Sequence, residues 1–161
     1  WETAMPWLVP DLAKAKGFLR SSGAESDGLS VGLGLPLMQR TELRSVLLLL
    51  SSRASPIARV HELWVEDPDR PGTLTRSQGV YGGSTALAEG SRDLTYAIDA
   101  HDGLPARAWS SGQPVLIEGA DAVAAAGARR GDVLREAGLG FALAYPVVVT
   151  DRVRAVVVLM G

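Results

Sequence analysis

Cysteine is absent from all 161 residues, and that absence removes several chemistries at once. Without a thiol there is no disulfide, no thiolate nucleophile, no cysteine-held metal and no thioether-linked chromophore. Asparagine is missing as well. Only two histidines occur, His61 and His101, whereas a dedicated metal site needs three or four suitable ligands placed together. No excess of one charge exists either: 16 basic residues stand against 18 acidic ones, which leaves no electrostatic footprint for nucleic acid or an anionic membrane. No apolar run approaches the roughly 20 residues that span a bilayer. The apolar runs Val46–Leu50 and Ala155–Met160 have the length of buried strands.

What is present is a globular composition, 47% hydrophobic and 21% charged, on a chain long enough to bury a sizeable core. Part of the chain also occurs twice. Trp1, Pro6 and Leu8 match Trp109, Pro114 and Leu116 at one constant offset. After a two-residue slip, Gly28, Leu29, Leu33, Pro36, Arg44, Val46 and Leu49 match Gly138, Leu139, Leu143, Pro146, Arg154, Val156 and Leu159 at a second. A period this long indicates two copies of a small domain rather than a solenoid. Residues 1–54 are therefore expected to be the C-terminal half of a first unit and residues 55–161 an essentially complete second unit, as in a fragment or processed product of a longer tandem protein.

Residues 33–50 and 141–160 read as equivalent β-hairpins, each with a proline in its first strand and an almost continuously apolar second strand. Uninterrupted apolar strands require cover on both faces, so each second strand is expected at the centre of its sheet. Pro36 and Pro146 lack an N–H for the ladder and must sit at an edge, a bulge or an unpaired position. Ala58–Glu66 and Leu74–Tyr81 form another candidate strand pair, joined by a linker rich in proline and charge. The mostly polar Leu74–Tyr81 is expected at a sheet edge. Helices are expected at Ser84–Ile98, Leu104–Ser111, Ala120–Ala137 and Leu12–Arg20, with Pro114–Glu118 a strand. The two glycines within Ala122–Gly131 should break or fray the helix they lie in. Antiparallel hairpins with intervening helices define an α+β fold with a pocket between sheet and helices.

The run Gly103-Leu104-Pro105-Ala106-Arg107-Ala108-Trp109-Ser110-Ser111-Gly112-Gln113-Pro114-Val115-Leu116-Ile117 resembles the central signature of bacterial GAF domains. Gly138-Leu139, Ala142-Leu143-Ala144-Tyr145-Pro146-Val147 and the apolar strand ending at Met160 resemble that family's terminal hairpin. The likeness implies a GAF-like antiparallel sheet with flanking helices in tandem copies. It further implies a non-catalytic sensory or regulatory module of a cytoplasmic signalling protein, binding a small ligand or mediating dimerisation. The alternative is a structural assembly module with a vestigial pocket. Its partners would be a second copy of itself or neighbouring domains of a longer chain, and no cofactor is identified.

Read as plain folding chemistry, Gly103 and Pro105 set a tight turn, Trp109 and Trp1 are large apolar anchors, and Gly112 stops a helix before Pro114 restarts the chain. A ligand, if taken up, is expected between sheet and helices near Tyr81, Tyr96, Arg107, Trp109 and Tyr145, which offer apolar walls with polar tips. His101-Asp102 could orient an imidazole as a haem ligand or base, since some GAF domains hold haem through histidine. Gly32-Leu33-Gly34 lacks a third glycine and runs into a strand, so it is no dinucleotide loop. Glu66, Asp67 and Asp69 read as a solvated turn rather than paired acid/base groups. The lack of asparagine argues against the cyclic-nucleotide pattern of the family. No nucleophile, base and orienter set emerges.

Overall fold

The structure, a computed structural model, describes residues 4–15, 21–52, 54 and 56–161. Trp1 and the distal part of the Leu12–Arg20 segment lie outside the described residues; Leu12–Lys14 forms a short 3-10 turn. Among the described residues, nine strands fall into two sheets. The larger takes β4 (Val60–Glu66), β5 (Thr73–Val80), β6 (Thr95–Ala97), β7 (Val115–Glu118), β8 (Phe141–Val149) and β9 (Arg152–Met160) in the order β6-β5-β4-β9-β8-β7, with every pairing antiparallel. The smaller holds β1 (Trp7–Val9), β2 (Leu29–Gln39) and β3 (Glu42–Ser52) in chain order. Helices α2 (Thr85–Gly90), α3 (Leu104–Ser111), α4 (Ala120–Ala126) and α5 (Gly131–Glu136) cover one face of the larger sheet, and α1 (Ser21–Ser26) lies on the smaller.

The alternation of side chains along β9 decides the layering. Val156, Val158 and Met160 join Trp64, Leu104, Val123 and Leu134 in the core beneath the helices. Ala155, Val157 and Leu159 point the other way and meet Leu8, Leu33 and Leu35 of the smaller sheet. Beyond that sheet, Val9 and Leu50 pack on Leu12 and Ala24. The molecule is thus helix, sheet, sheet, helix. Gly32 contributes to the outermost contact, because a Cβ there would press on the Leu12 side chain.

The two hairpins share one register. Leu8↔Leu33, Leu33↔Leu49 and Pro36↔Val46 correspond to Leu116↔Leu143, Leu143↔Leu159 and Pro146↔Val156. A register shift falls between Leu37 and Met38 in one hairpin and between Val147 and Val148 in the other. Both prolines sit just before that irregularity and beyond the reach of the short neighbouring strand, where a missing N–H is tolerated. Gly28 and Gly138, with φ of +67° and +62°, end the equivalent helices α1 and α5.

Three expectations from the sequence are corrected. β9 is central between β4 and β8, but β3 stands at a sheet edge with no outer neighbour among the described residues, so its apolar run is not covered on both sides. Leu43, Leu47 and Leu48 consequently remain 40%, 45% and 49% exposed. Second, the polar strand β5 is not outermost: the three-residue β6 pairs Thr73, Leu74 and Thr75 because buried Tyr96 has to reach the core opposite Leu74. Third, the Ser84–Ile98 helix stops at Gly90, since Thr95-Tyr96-Ala97 takes the extended form that aromatic and β-branched residues favour. The hairpin of residues 29–52 stacks face to face on the larger sheet, with Leu33 and Leu35 in the shared interior. The expected break in the alanine-rich helix does occur, at Gly127, where a Cβ would overlap Leu134.

Candidate functional site

β4 presents Glu62 and Trp64 to the helix side, and there a buried polar cluster interrupts the apolar core. The segment joining α4 to α5 delivers Arg130, whose Nη1 and Nη2 donate to the two carboxylate oxygens of Glu62 at 2.5 and 2.8 Å. Nη1 also donates to Ser91 Oγ at 2.6 Å. Trp64 Nε1 donates to Glu62 Oε2 at 3.0 Å, and Tyr81 Oη to Glu62 Oε1 at 2.9 Å. Arg76 closes the outer side by bonding the Tyr81 hydroxyl while its guanidinium lies 5.3 Å from that ring's centroid. Arg130 Nε alone lacks a partner.

Electrostatics follow from this enclosure. Burial opposes ionisation of Glu62, but the Arg130 charge and the bonds from Arg130, Trp64 and Tyr81 outweigh it and hold the carboxyl below its ordinary value. Burial likewise opposes charge on Arg130, and Glu62 more than compensates, so the guanidinium stays cationic. Tyr81 is pushed up to about 12, first by burial and then by the Glu62 charge. Burial raises Tyr96 in the same direction. The cluster is a fixed ion pair with no proton to exchange near neutrality.

Around it the space is nearly filled. A void of about 10 Å³ remains between Tyr96, Leu104, Val123, Arg130, Leu134 and Met160. Tyr96 packs on Trp64 with ring centroids 5.0 Å apart. Gly103 makes this possible: at φ +81° it lies so close to the Tyr96 ring that any Cβ would overlap it. The glycine-leucine-proline turn thus seats an aromatic side chain as well as starting α3.

The five residues expected to line a ligand pocket do not converge on one cavity. Tyr96 is buried in the core, and Tyr81 stands at its margin, bonded to Glu62. Arg107 is exposed on α3, and Trp109 is half-buried beside Val65 and Val153. Tyr145 is exposed among Pro36, Met38 and Gly112, on the sheet face turned away from the helices. Sequence reasoning missed Glu62, Ser91 and Arg130. The available signal was a lone carboxylate, Glu62, on the same strand face as Val60 and Trp64, which demands a buried cation. His101 is exposed in a turn at φ +50°, whereas His61 is buried, on the opposite face of β4 from Glu62. No group of three or more metal-ligating side chains occurs among the described residues, and no helix there is long and apolar enough to cross a membrane.

The larger sheet with its helix layer is a GAF-like α+β fold. The chain is similar to the GAF domain/HD domain protein from Geobacter sulfurreducens, with a TM-score of 0.51 and 17% identity, over 65% of this chain and 63% of that one. Similarity extends to the nlh2 GAF domain from A. aeolicus in an inactive state, at TM-score 0.49 and 16% identity over 65% and 57% of the two chains. It extends also to the NreA protein from Staphylococcus aureus mutated in its nitrate-binding site, at TM-score 0.48 and 15% identity over 68% and 76%. The chain spans less than two thirds of the length of the first two of these proteins. No protein family and no curated protein matches the chain by sequence.

Proposed function

We propose that the chain is a non-catalytic sensory or regulatory module of a cytoplasmic signalling protein, responding to a small ligand held between sheet and helices. The observation that carries this reading is the Glu62–Arg130 cluster, buried where an apolar core would be cheaper to build. Arg130 Nε is an unused donor beside the small void, and Tyr96 borders the same space. A ligand there would enter by movement of the segment between α4 and α5, which Gly127 and Gly131 already interrupt. Tyr81, Tyr96 and Arg130 would meet it, with Arg107, Trp109 and Tyr145 further off. We also propose that residues 1–54 are the C-terminal half of one GAF-like unit and residues 55–161 a complete second; the common register of the two hairpins supports this. Native mass spectrometry of the purified chain tests the ligand reading. A retained small-molecule mass, lost on Arg130→Met substitution in a variant that still folds, is expected; a bare chain in every preparation would overturn it.

A second reading, an assembly module, is favoured by one observation. The outer edge of β3 and its exposed Leu47 and Leu48 lack the cover that β4 and the helices give the corresponding Val157 and Val158. Open apolar edges are templates for strand pairing, and two copies of β3 placed antiparallel would form a two-fold dimer. Sedimentation over a wide concentration range should reveal such a dimer, and Leu48→Lys should abolish it.

A further inference from the structure

A cleft of about 540 Å³ opens where the two sheets meet, on the side of β4 away from Glu62. Val31 and Ser51 wall it from the smaller sheet, and Arg59, His61, Val80 and Tyr81 from the larger. Its size falls within the range of small-molecule sites. Two of these lining residues carry a buried polar atom with no hydrogen-bond partner, Ser51 Oγ and His61 Nδ1, and each residue is only 6% exposed. Both residues also border the small void beneath, against Leu33, Leu49 and Leu159. Buried polar atoms are nearly always partnered in native proteins, so two orphans on residues that line one cleft mark a place for a bound group.

The chemistry of the lining narrows the class. Among the described residues its lining holds one cation, Arg59, whose Nη2 donates to Ala137 O at 2.5 Å, and no carboxylate. Burial holds the His61 imidazole below its ordinary value, so the neutral ring can present an N–H at Nδ1. The Ser51 hydroxyl can donate beside it, and Val31, Val80, Pro10 and Pro56 supply apolar walls. We propose that this cleft binds a small organic monocarboxylate with an apolar body, its oxygens accepting from Ser51 Oγ and His61 Nδ1 and its charge met by Arg59. Tyr81 borders both places, but this cleft lies on the opposite face of β4 from the space between sheet and helices.

Two histidines in the chain allow nitrogen-15 imidazole NMR to follow each alone, with exposed His101 as internal reference. Phenylacetate and neutral phenylacetamide are the probes. Phenylacetate is expected to shift the His61 signals saturably without moving His101, and phenylacetamide to bind at least about tenfold more weakly, the scale of one lost charged contact. Ser51→Ala and Arg59→Gln should each weaken phenylacetate by a similar factor. If Ser51→Ala fails to fold, Arg59→Gln on the exposed rim carries the comparison. The proposal is overturned by an unmoved His61 at about 10 mM phenylacetate, weaker than useful binding sites reach. Equal response to the amide, or unchanged affinity in the folded variants, overturns it equally.

Discussion

Arg130 and Glu62, 68 positions apart in sequence, meet through two hydrogen bonds in the layer between sheet and helices. Both side chains are almost completely removed from water, at 3% and 0% exposure. Such a pair ties the segment between α4 and α5 to β4. Its strength depends on both partners being present, because either charge left alone inside the core is costly.

Glu62→Gln or Arg130→Met should each destabilise the fold by about 3–5 kcal/mol, the cost of stranding one buried charge. The double variant Glu62→Leu with Arg130→Met should recover much of that loss. Urea denaturation of the three variants checks it, and additive losses in the double variant would contradict the pairwise account.

Acidification should weaken the fold in two stages. His61 is depressed by burial, so the unfolded chain takes up a proton first; stability present above about pH 6.5 is lost as the pH falls toward the lowered folded value. Glu62 is also depressed, and its contribution, present above about 4.5, disappears only as the pH drops below that and through its folded value. Stability curves of the parent and His61→Gln should diverge between these regions, with the upper slope reduced in the variant.

Gly103→Ala should cost about 1–3 kcal/mol, since it combines a left-handed backbone with overlap on Tyr96. For a chain of this size each kcal/mol lowers Tm by about 2–4 °C. Thermal melts would reveal this, and Gly112→Ala, strained in φ but with open space around it, should cost less.

Hydrogen exchange should separate the two apolar strands. Amides of β9, flanked by β4 and β8, should exchange slowest, whereas the outward amides of β3 should exchange far faster. Equal protection along both strands in dilute solution would mean that the outer edge of β3 is covered.

Much of this architecture was legible. The sequence match pointed to two similar hairpins, and one bulge, the proline and the preceding glycine fall at matching positions in each, while the shift between Leu29 and Val31 has no counterpart in the other. α3 and β7 lie where the glycine-leucine-proline run and Pro114 put them. What escaped was long-range. An apolar run reports that a strand wants cover, not whether a neighbour adjoins it, so β3 and β9 read alike although only one is central. The candidate site was less legible still. Aromatic residues in and around the signature drew attention to Trp109 and Tyr145, but the alternation of β8 sends Tyr145 to the face opposite the helices. The Glu62–Arg130 contact joins elements that no local pattern links.

β9 serves as a party wall. Successive residues along it belong to different interiors: Val156 and Val158 to the one beneath the helices, Ala155 and Val157 to the one shared with the smaller sheet. A single backbone therefore carries the packing of both compartments, and a strand cannot slide or tilt for one tenant alone. Any rearrangement that shifts β9 under α3 must repack Leu33 and Leu35 on the far side, so each compartment sets the tolerance of the other.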